Sequence, residues 1–180
     1  MIEWIQQADA SVLFFIQEQL RVPWMNRFWE CISRLGDYGL FWIILAIILL
    51  VFKKTRKVGV TVACALVLAT LINNGILKTL IGRARPYEVY EALIPLGTIP
   101  IDSSFPSGHT CASFACALIY VRMLPKKYGV PLLVLAILIA WSRLYLCVHF
   151  PSDVLGGFLV ALFSSTVVYA CALRMEKEKK

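Results

Sequence analysis

Three short runs of residues carry the chemistry in this chain. The first is Lys78, then TLIGRA, then Arg85 and Pro86. The second is Pro106, Ser107, Gly108 and His109. The third is Ser142 and Arg143, then LYLCV, His149, FPS and Asp153. Lys78, Arg85 and Arg143 together would bind a dianionic group, because arginine's planar fork matches phosphate oxygens and lysine adds a point charge. Ser107 and Gly108, just ahead of a helix, offer backbone N–H groups at its positive end, and Gly108 lets the backbone approach closely. Of two histidines, one can attack phosphorus as a neutral imidazole while the other protonates the leaving oxygen. Asp153 would hold the attacking ring in one tautomer and stabilise its cation. Cations would also stabilise the equatorial oxygens of a phosphoryl transition state without a metal.

Taken singly, each element has a plainer explanation. Lys78, Arg85 or Arg143 alone would be an interfacial anchor. Pro106–Gly108 alone would be a turn and helix cap, and His149 alone a satisfied core histidine. The combination carries the weight, and its meaning depends on where the surrounding elements put it.

Those elements are apolar. The chain has 180 residues, 59% of them hydrophobic and only 16% charged. Its mean hydropathy is +0.74. This excludes an ordinary soluble enzyme, a disordered chain or a coiled coil. Residues 58–77 and 154–173 contain no charge, and each run is long enough to cross a hydrocarbon core as a helix. Residues 40–52, 110–121 and 128–141 are shorter apolar runs of the same kind. The expected fold is all-α: an integral membrane helical bundle with about five transmembrane helices, six if the first helix inserts. It divides into residues 1–35, an N-terminal amphipathic interfacial region; residues 36–173, the transmembrane catalytic bundle; and residues 174–180, a charged tail.

Net charge is +7, and its distribution sets the expected orientation. With five alternating spans, Lys53, Lys54, Arg56, Lys57, Arg122, Lys126, Lys127, Arg174, Lys177, Lys179 and Lys180 share one side. That side would be cytoplasmic by the positive-inside bias. The split of these cations among short loops and a tail argues against nucleic acid. Arg21, Arg27, Arg34, Lys78, Arg83, Arg85 and Arg143 fall outside. Both histidines and Asp153 lie on that outer side too. The expected location is therefore the cytoplasmic (inner) membrane, multi-pass, with the site on the extracytoplasmic face and the C-terminus cytoplasmic.

In the first 35 residues Ile5, Val12, Phe15, Ile16 and Leu20 fall at roughly helical spacing among polar residues. This predicts an amphipathic helix at the interface, with Trp4, Trp24 and Trp29 suited to the headgroup zone. There is no basic start and no small-residue cleavage site of a signal peptide. Six cysteines without a C-x-x-C pair, and two histidines, predict packing thiols and no metal site.

The three runs resemble the signature motifs of the type 2 phosphatidic acid phosphatase family, which shares its site with vanadium-dependent haloperoxidases and glucose-6-phosphatase. K-x6-R-P, P-S-G-H and S-R-x5-H-x3-D stand complete and in order. The resemblance implies that Lys78, Arg85 and Arg143 bind phosphate with Ser107 and the Gly108 backbone. It implies that His149 is the nucleophile, forming a phosphohistidine, that Asp153 orients it, and that His109 is the general acid. Ser142, Pro86 and Pro106 would support and shape the site. No cofactor is implied.

The segment between Arg85 and Phe105 is long for a connection. Tyr87, Tyr90, Leu93 and Ile94 lie on one helical side, which predicts an interfacial helix or lid. The partner expected is a membrane phospholipid or isoprenoid phosphate. Undecaprenyl diphosphate is favoured, with phosphatidylglycerophosphate or phosphatidic acid as alternatives. Two other classes compete: a non-catalytic lipid-headgroup binding protein, and a vanadate-dependent haloperoxidase. The first has little need for both histidines with Asp153, and five apolar spans disfavour the second.

Overall fold

A computed structural model describes residues 3–178 of the chain. Lys179 and Lys180, counted above with the cytoplasmic cations, lie outside the described residues. Among the described residues every regular element is helical. Prolines and glycines set where the helices begin and end. Helix α1 (Glu3–Phe15) runs on through a π-helical turn to Leu20, and Pro23 opens α2 (Pro23–Arg34). A tight turn with left-handed Tyr38 and Gly39 leads into α3 (Leu40–Val51).

Helix α4 (Arg56–Thr70) continues through π-helical Leu71–Leu77 into α5 (Lys78–Ile81), which stops at left-handed Gly82. Pro86 starts the single turn α6 (Pro86–Val89). Then come α7 (Gly108–Met123), α8 (Lys126–Tyr145), which Pro125 caps, and α9 (Pro151–Lys177), which Pro151 opens. Proline suits a first helical turn because its missing N–H would be unsatisfied there anyway.

The core forms around α7, which is packed by α4, α8 and α9. Ala115, Ala117, Ile119 and Tyr120 of α7 meet Val62, Ala65 and Ala69 of α4, Ala136 and Ile139 of α8, and Ala161 of α9. Small residues at these contacts let helix backbones approach closely, which is how bundles pack when lipid removes the hydrophobic drive between helices. Trp42 donates from Nε1 to Ser113 Oγ at 3.0 Å, so this buried indole is satisfied. Outside, Ile43, Ile47, Val51, Val60, Val67, Leu155, Leu159 and Phe163 are exposed. Such a girdle is the surface expected of a protein solvated by lipid tails.

Four stretches are long and apolar enough to cross a membrane among the described residues: Pro23–Val51, Arg56–Val89, Lys126–Tyr145 and Pro151–Lys177. The expected span over residues 40–52 therefore extends back through α2, across the kink. The expected span over 110–121 falls in α7, whose 16 residues make a rod of about 24 Å.

Two local expectations differ from the fold. Helix α1 and the π-helical turn after it bury Asp9, Leu13 and Ile16, while Val12, Phe15 and Leu20 stay exposed, so their apolar residues lie on two sides rather than one. The predicted lid helix shrinks to α6. Leu93 turns inward at 1% exposure, packed with Leu13, Cys147 and Phe150, while Ile94 remains exposed. Burial of one apolar side chain beats continuation of a helix that Pro95 would end.

Candidate active site

Each of the three motifs sits at a helix end, and the fold draws these ends together. Lys78 opens α5 just past the π-helical segment, a local widening common near functional sites. Asn73 within it donates to the Pro106 carbonyl at 3.3 Å, linking this helix to the second motif. Gly157 fixes the next contact: a β-carbon there would lie 2.5 Å from the Ser107 carbonyl oxygen, so only glycine lets α9 seat against the start of α7. The Ser107 N–H donates to the Asp153 carbonyl at 3.0 Å, tying the second motif to the third.

Ser107 caps α7 as the sequence suggests. Its hydroxyl accepts from Thr110 N at 3.5 Å and from Thr110 Oγ1 at 3.1 Å. Because its own N–H is bonded to Asp153, the open donors are those of Gly108 and His109. These precede the first intrahelical bond, Cys111 N to Ser107 O, and have no acceptor within the helix.

His149 lies on the bend before Pro151, and Asp153 in the first turn of α9. Both are almost fully buried. His149 Nδ1 is 3.6 Å from Asp153 Oδ2, a charge-pairing distance longer than a hydrogen bond. His149 Nε2 is 3.5 Å from Arg85 Nη1. Catalytic pairs often sit long without substrate and tighten with it. Burial, with Arg143 and Arg85 adding to it against the pull of Asp153, pushes the His149 pKa down to about 3. The imidazole is therefore neutral at working pH, the state a nucleophile needs.

That shift has a measurable consequence. The folded pKa lies below the ordinary 6.5, so the unfolded chain binds the proton first as pH falls. Stability present at neutral pH is then lost as pH drops from about 6.5 towards about 3. Lys78 and Arg85, against burial, hold the Asp102 carboxyl at about 2, so its contribution fades only below the ordinary 3.8. The melting temperature in detergent should fall between roughly pH 6.5 and 4, and His149→Asn should flatten that slope.

Arg85 is fully buried and spends its donors on a cage. Nη1 donates to the Val148 carbonyl at 2.6 Å, Nε to the Asp102 carbonyl at 2.8 Å, and Nη2 to Asp102 Oδ1 at 2.7 Å. The other Asp102 oxygen bonds Lys78 Nζ. Arg143 donates to Ser33 of α2, and its buried Nε has no hydrogen-bond partner among the described residues. His109 is 20% exposed, and its Nε2 lies 2.8 Å from Asp37 Oδ1. Ser142 donates to the Ile139 carbonyl at 2.6 Å, inside α8, and touches no other motif residue through a hydrogen bond.

Ion pairs and hydrogen bonds, with Asp102 bridging Lys78 and Arg85, thus join Lys78, Arg85, Ser107, His149 and Asp153 into one network, with Arg143 and His109 held from α2 and the turn that follows it. Pro86 opens α6 behind Arg85, and Pro106 lies at the entry to α7.

Several residues that sequence reasoning passed over belong to the same network. Asp153 Oδ2 accepts from Ser104 Oγ at 2.5 Å and from Phe150 N at 2.8 Å. Asp153 Oδ1 accepts from Arg83 Nη1 at 2.5 Å. Arg83 also pairs with Asp9 of α1 at 2.8 Å and lies 4.0 Å over the Phe150 ring. Asp9 in turn takes Ser152 N at 2.9 Å. One guanidinium between two buried carboxylates leaves net negative charge behind His149, which suits a ring that turns cationic during reaction. A cavity of about 230 Å³ lined by Gln6, Ile81, Arg83, Ala84, Val89 and Phe150 opens beside this network. The available signal for Arg83 was its place inside the first motif; Asp9 lies among the other polar residues of α1 and carried none.

Comparison with known proteins agrees with the motifs. The chain is 32% identical over 133 residues to an undecaprenyl-diphosphatase of Sulfolobus acidocaldarius, covering 73% of this chain. It spans 64% of that protein, under two thirds of its length. A crystal structure of a transmembrane PAP2-type phosphatidylglycerolphosphate phosphatase from Bacillus subtilis superposes with a TM-score of 0.76 at 30% identity, covering 94% of this chain and 87% of that one. The crystal structure of Aquifex aeolicus LpxE gives a TM-score of 0.78 at 29% identity, covering 89% and 93%. The PAP2 superfamily profile matches residues 57–176, two thirds of the chain and all three motifs, and this multi-pass membrane protein belongs to that family.

Proposed function

We propose that the chain is a membrane-embedded, metal-independent lipid phosphatase working through a phosphohistidine on the extracytoplasmic face. The observation that carries this is the setting of His149: a buried imidazole with Nε2 beside Arg85 and Nδ1 towards Asp153, where burial favours the neutral ring. His149 Nε2 attacks phosphorus while Lys78, Arg85 and Arg143 neutralise the equatorial oxygens and the Gly108 N–H adds a dipole. Asp153, fixed by Ser104, Phe150 N and Arg83, balances the imidazolium that forms. His109 donates the proton to the leaving oxygen and then takes one from the water that cleaves the phosphohistidine. Ser142, Pro86 and Pro106 shape the walls.

Undecaprenyl diphosphate is the favoured substrate, supported by the Sulfolobus relative. The Bacillus structure supports a second reading, phosphatidylglycerophosphate. With α7 as a fifth span, the positive-inside bias favours an N-terminus outside and a C-terminus inside, with residues 36–173 as the catalytic bundle beside an interfacial N-terminal region. The test is phosphate release in EDTA by detergent-purified protein from undecaprenyl diphosphate, phosphatidylglycerophosphate and phosphatidic acid in parallel. Release from the first at the highest rate is expected. Release from none of them would contradict the reading and favour a headgroup-binding protein.

Asp102 makes a further prediction. Its carboxylate holds both Lys78 and Arg85, so an arriving phosphate competes with it for those cations. Asp102→Asn frees the cations, and orthovanadate should inhibit the variant about tenfold more tightly. Weaker inhibition would mean that Asp102 builds the site instead of competing for it.

A further inference from the structure

We infer that Asp37 is the positioning carboxylate of His109, fixing its Nε2–H tautomer so that Nδ1 is the nitrogen that gives and takes the proton. The inference rests on the reading of His109 as the proton donor.

Three observations converge on the turn after α2. Asp37 Oδ1 lies 2.8 Å from His109 Nε2, although the two are 72 residues apart. Gly36 presses on the same edge of the ring: a β-carbon there would lie 2.7 Å from His109 Cδ2 and 3.3 Å from Cγ. The Cδ2–Nε2 edge therefore faces the turn, and Nδ1 lies on the opposite side of the ring. The backbone is bent to achieve this. Tyr38 has φ 53° and Gly39 φ 67°, two successive left-handed residues. Tyrosine resists that conformation. Its side chain is 98% exposed and makes no packing that would explain it. What the turn does secure is the position of Asp37.

The chemistry follows from the tautomer. In the imidazolium, Nε2–H stays bonded to Asp37 while Nδ1–H faces the leaving oxygen. As the bond from His149 Nε2 to phosphorus forms, the phosphorus–oxygen bond breaks. Its electron pair goes to the leaving oxygen, which takes the Nδ1 proton. His109 is then neutral with its hydrogen on Nε2, and its free Nδ1 is a base. Water attacks phosphorus, Nδ1 takes the water proton, and the phosphorus–nitrogen electron pair returns to His149. Without a carboxylate at Nε2 the imidazolium loses its charge partner and its orientation, so Nδ1–H no longer meets the leaving oxygen; the other neutral tautomer, with Nδ1 protonated and unable to act as that base, is populated as well.

Such a role shows in leaving-group dependence, which a merely structural residue would not alter. The experiment is single-turnover release of the leaving group in detergent, with hexadecyl phosphate as the poor leaving group and 4-nitrophenyl phosphate as the good one. Asp37→Asn is expected to slow hexadecanol release about 100-fold and 4-nitrophenol release by less than about threefold. Asp37→Glu should recover part of the loss, and His109→Ala should share the leaving-group pattern. Equal losses on both substrates, or none on either, in Asp37→Asn and Asp37→Glu alike would overturn the role of Asp37 while leaving that of His109 standing. If His109→Ala itself shows no leaving-group dependence, His109 is not the proton donor and both readings fall.

Discussion

His149→Ala should lower lipid phosphate turnover by about 10⁴-fold or more and cost the fold little stability. The two halves of that expectation come from the same geometry. His149 is 2% exposed, and its Nδ1 has no hydrogen-bond partner among the described residues. Removing the ring removes a buried polar atom that the fold does not satisfy, so little stability is lost with it. Asp153 is held by Ser104, Phe150 N and Arg83, so it is not free to take the place of the ring. Phosphate release and thermal unfolding measured on one preparation check both halves. Residual turnover within tenfold of the parent would remove His149 from the mechanism.

Arg85→Lys comes second, with an expected loss of about 10³-fold in kcat/KM. The substitution keeps the charge and loses the geometry. Arg85 reaches the Val148 carbonyl, the Asp102 carbonyl, Asp102 Oδ1 and the edge of His149 at once, from a position 1% exposed. A lysine ammonium cannot span that arc, so the Val148 carbonyl beside His149 is released and the equatorial oxygens would lose a fork donor. Steady-state rates on one lipid substrate, with folding verified by melting, check it. A loss confined to KM would mean that Arg85 binds substrate and transition state equally.

The motifs could be read from sequence because their spacing is local and their residue types are costly in a membrane. Lys78, Arg85, Arg143, His149 and Asp153 interrupt or bound apolar runs, which marks them without any knowledge of the fold. Pro151 placed the start of α9, and so put His149 on a bend. The acids that hold these groups were hidden for the opposite reason. Asp9 meets Arg83 across 74 residues and Asp37 meets His109 across 72. No periodicity records such pairs. The joining of α2 and α3 into one stretch was hidden too: Glu30, Arg34 and Asp37 break the apolar run where the backbone only kinks. Leu93 shows the limit of helical spacing, since one deep pocket beside Phe150 outweighed a predicted amphipathic face.

The central claim is a covalent bond between phosphorus and His149. Its direct test is a lipid substrate labelled on the transferred phosphate, mixed with detergent-solubilised protein and quenched in alkali within a turnover. A protein-bound phosphoryl group that survives alkali, hydrolyses in acid, maps to the peptide containing His149 and is missing from His149→Ala is the expected result. Label that survives acid, or that persists in His149→Ala while turnover continues, would contradict the phosphohistidine route.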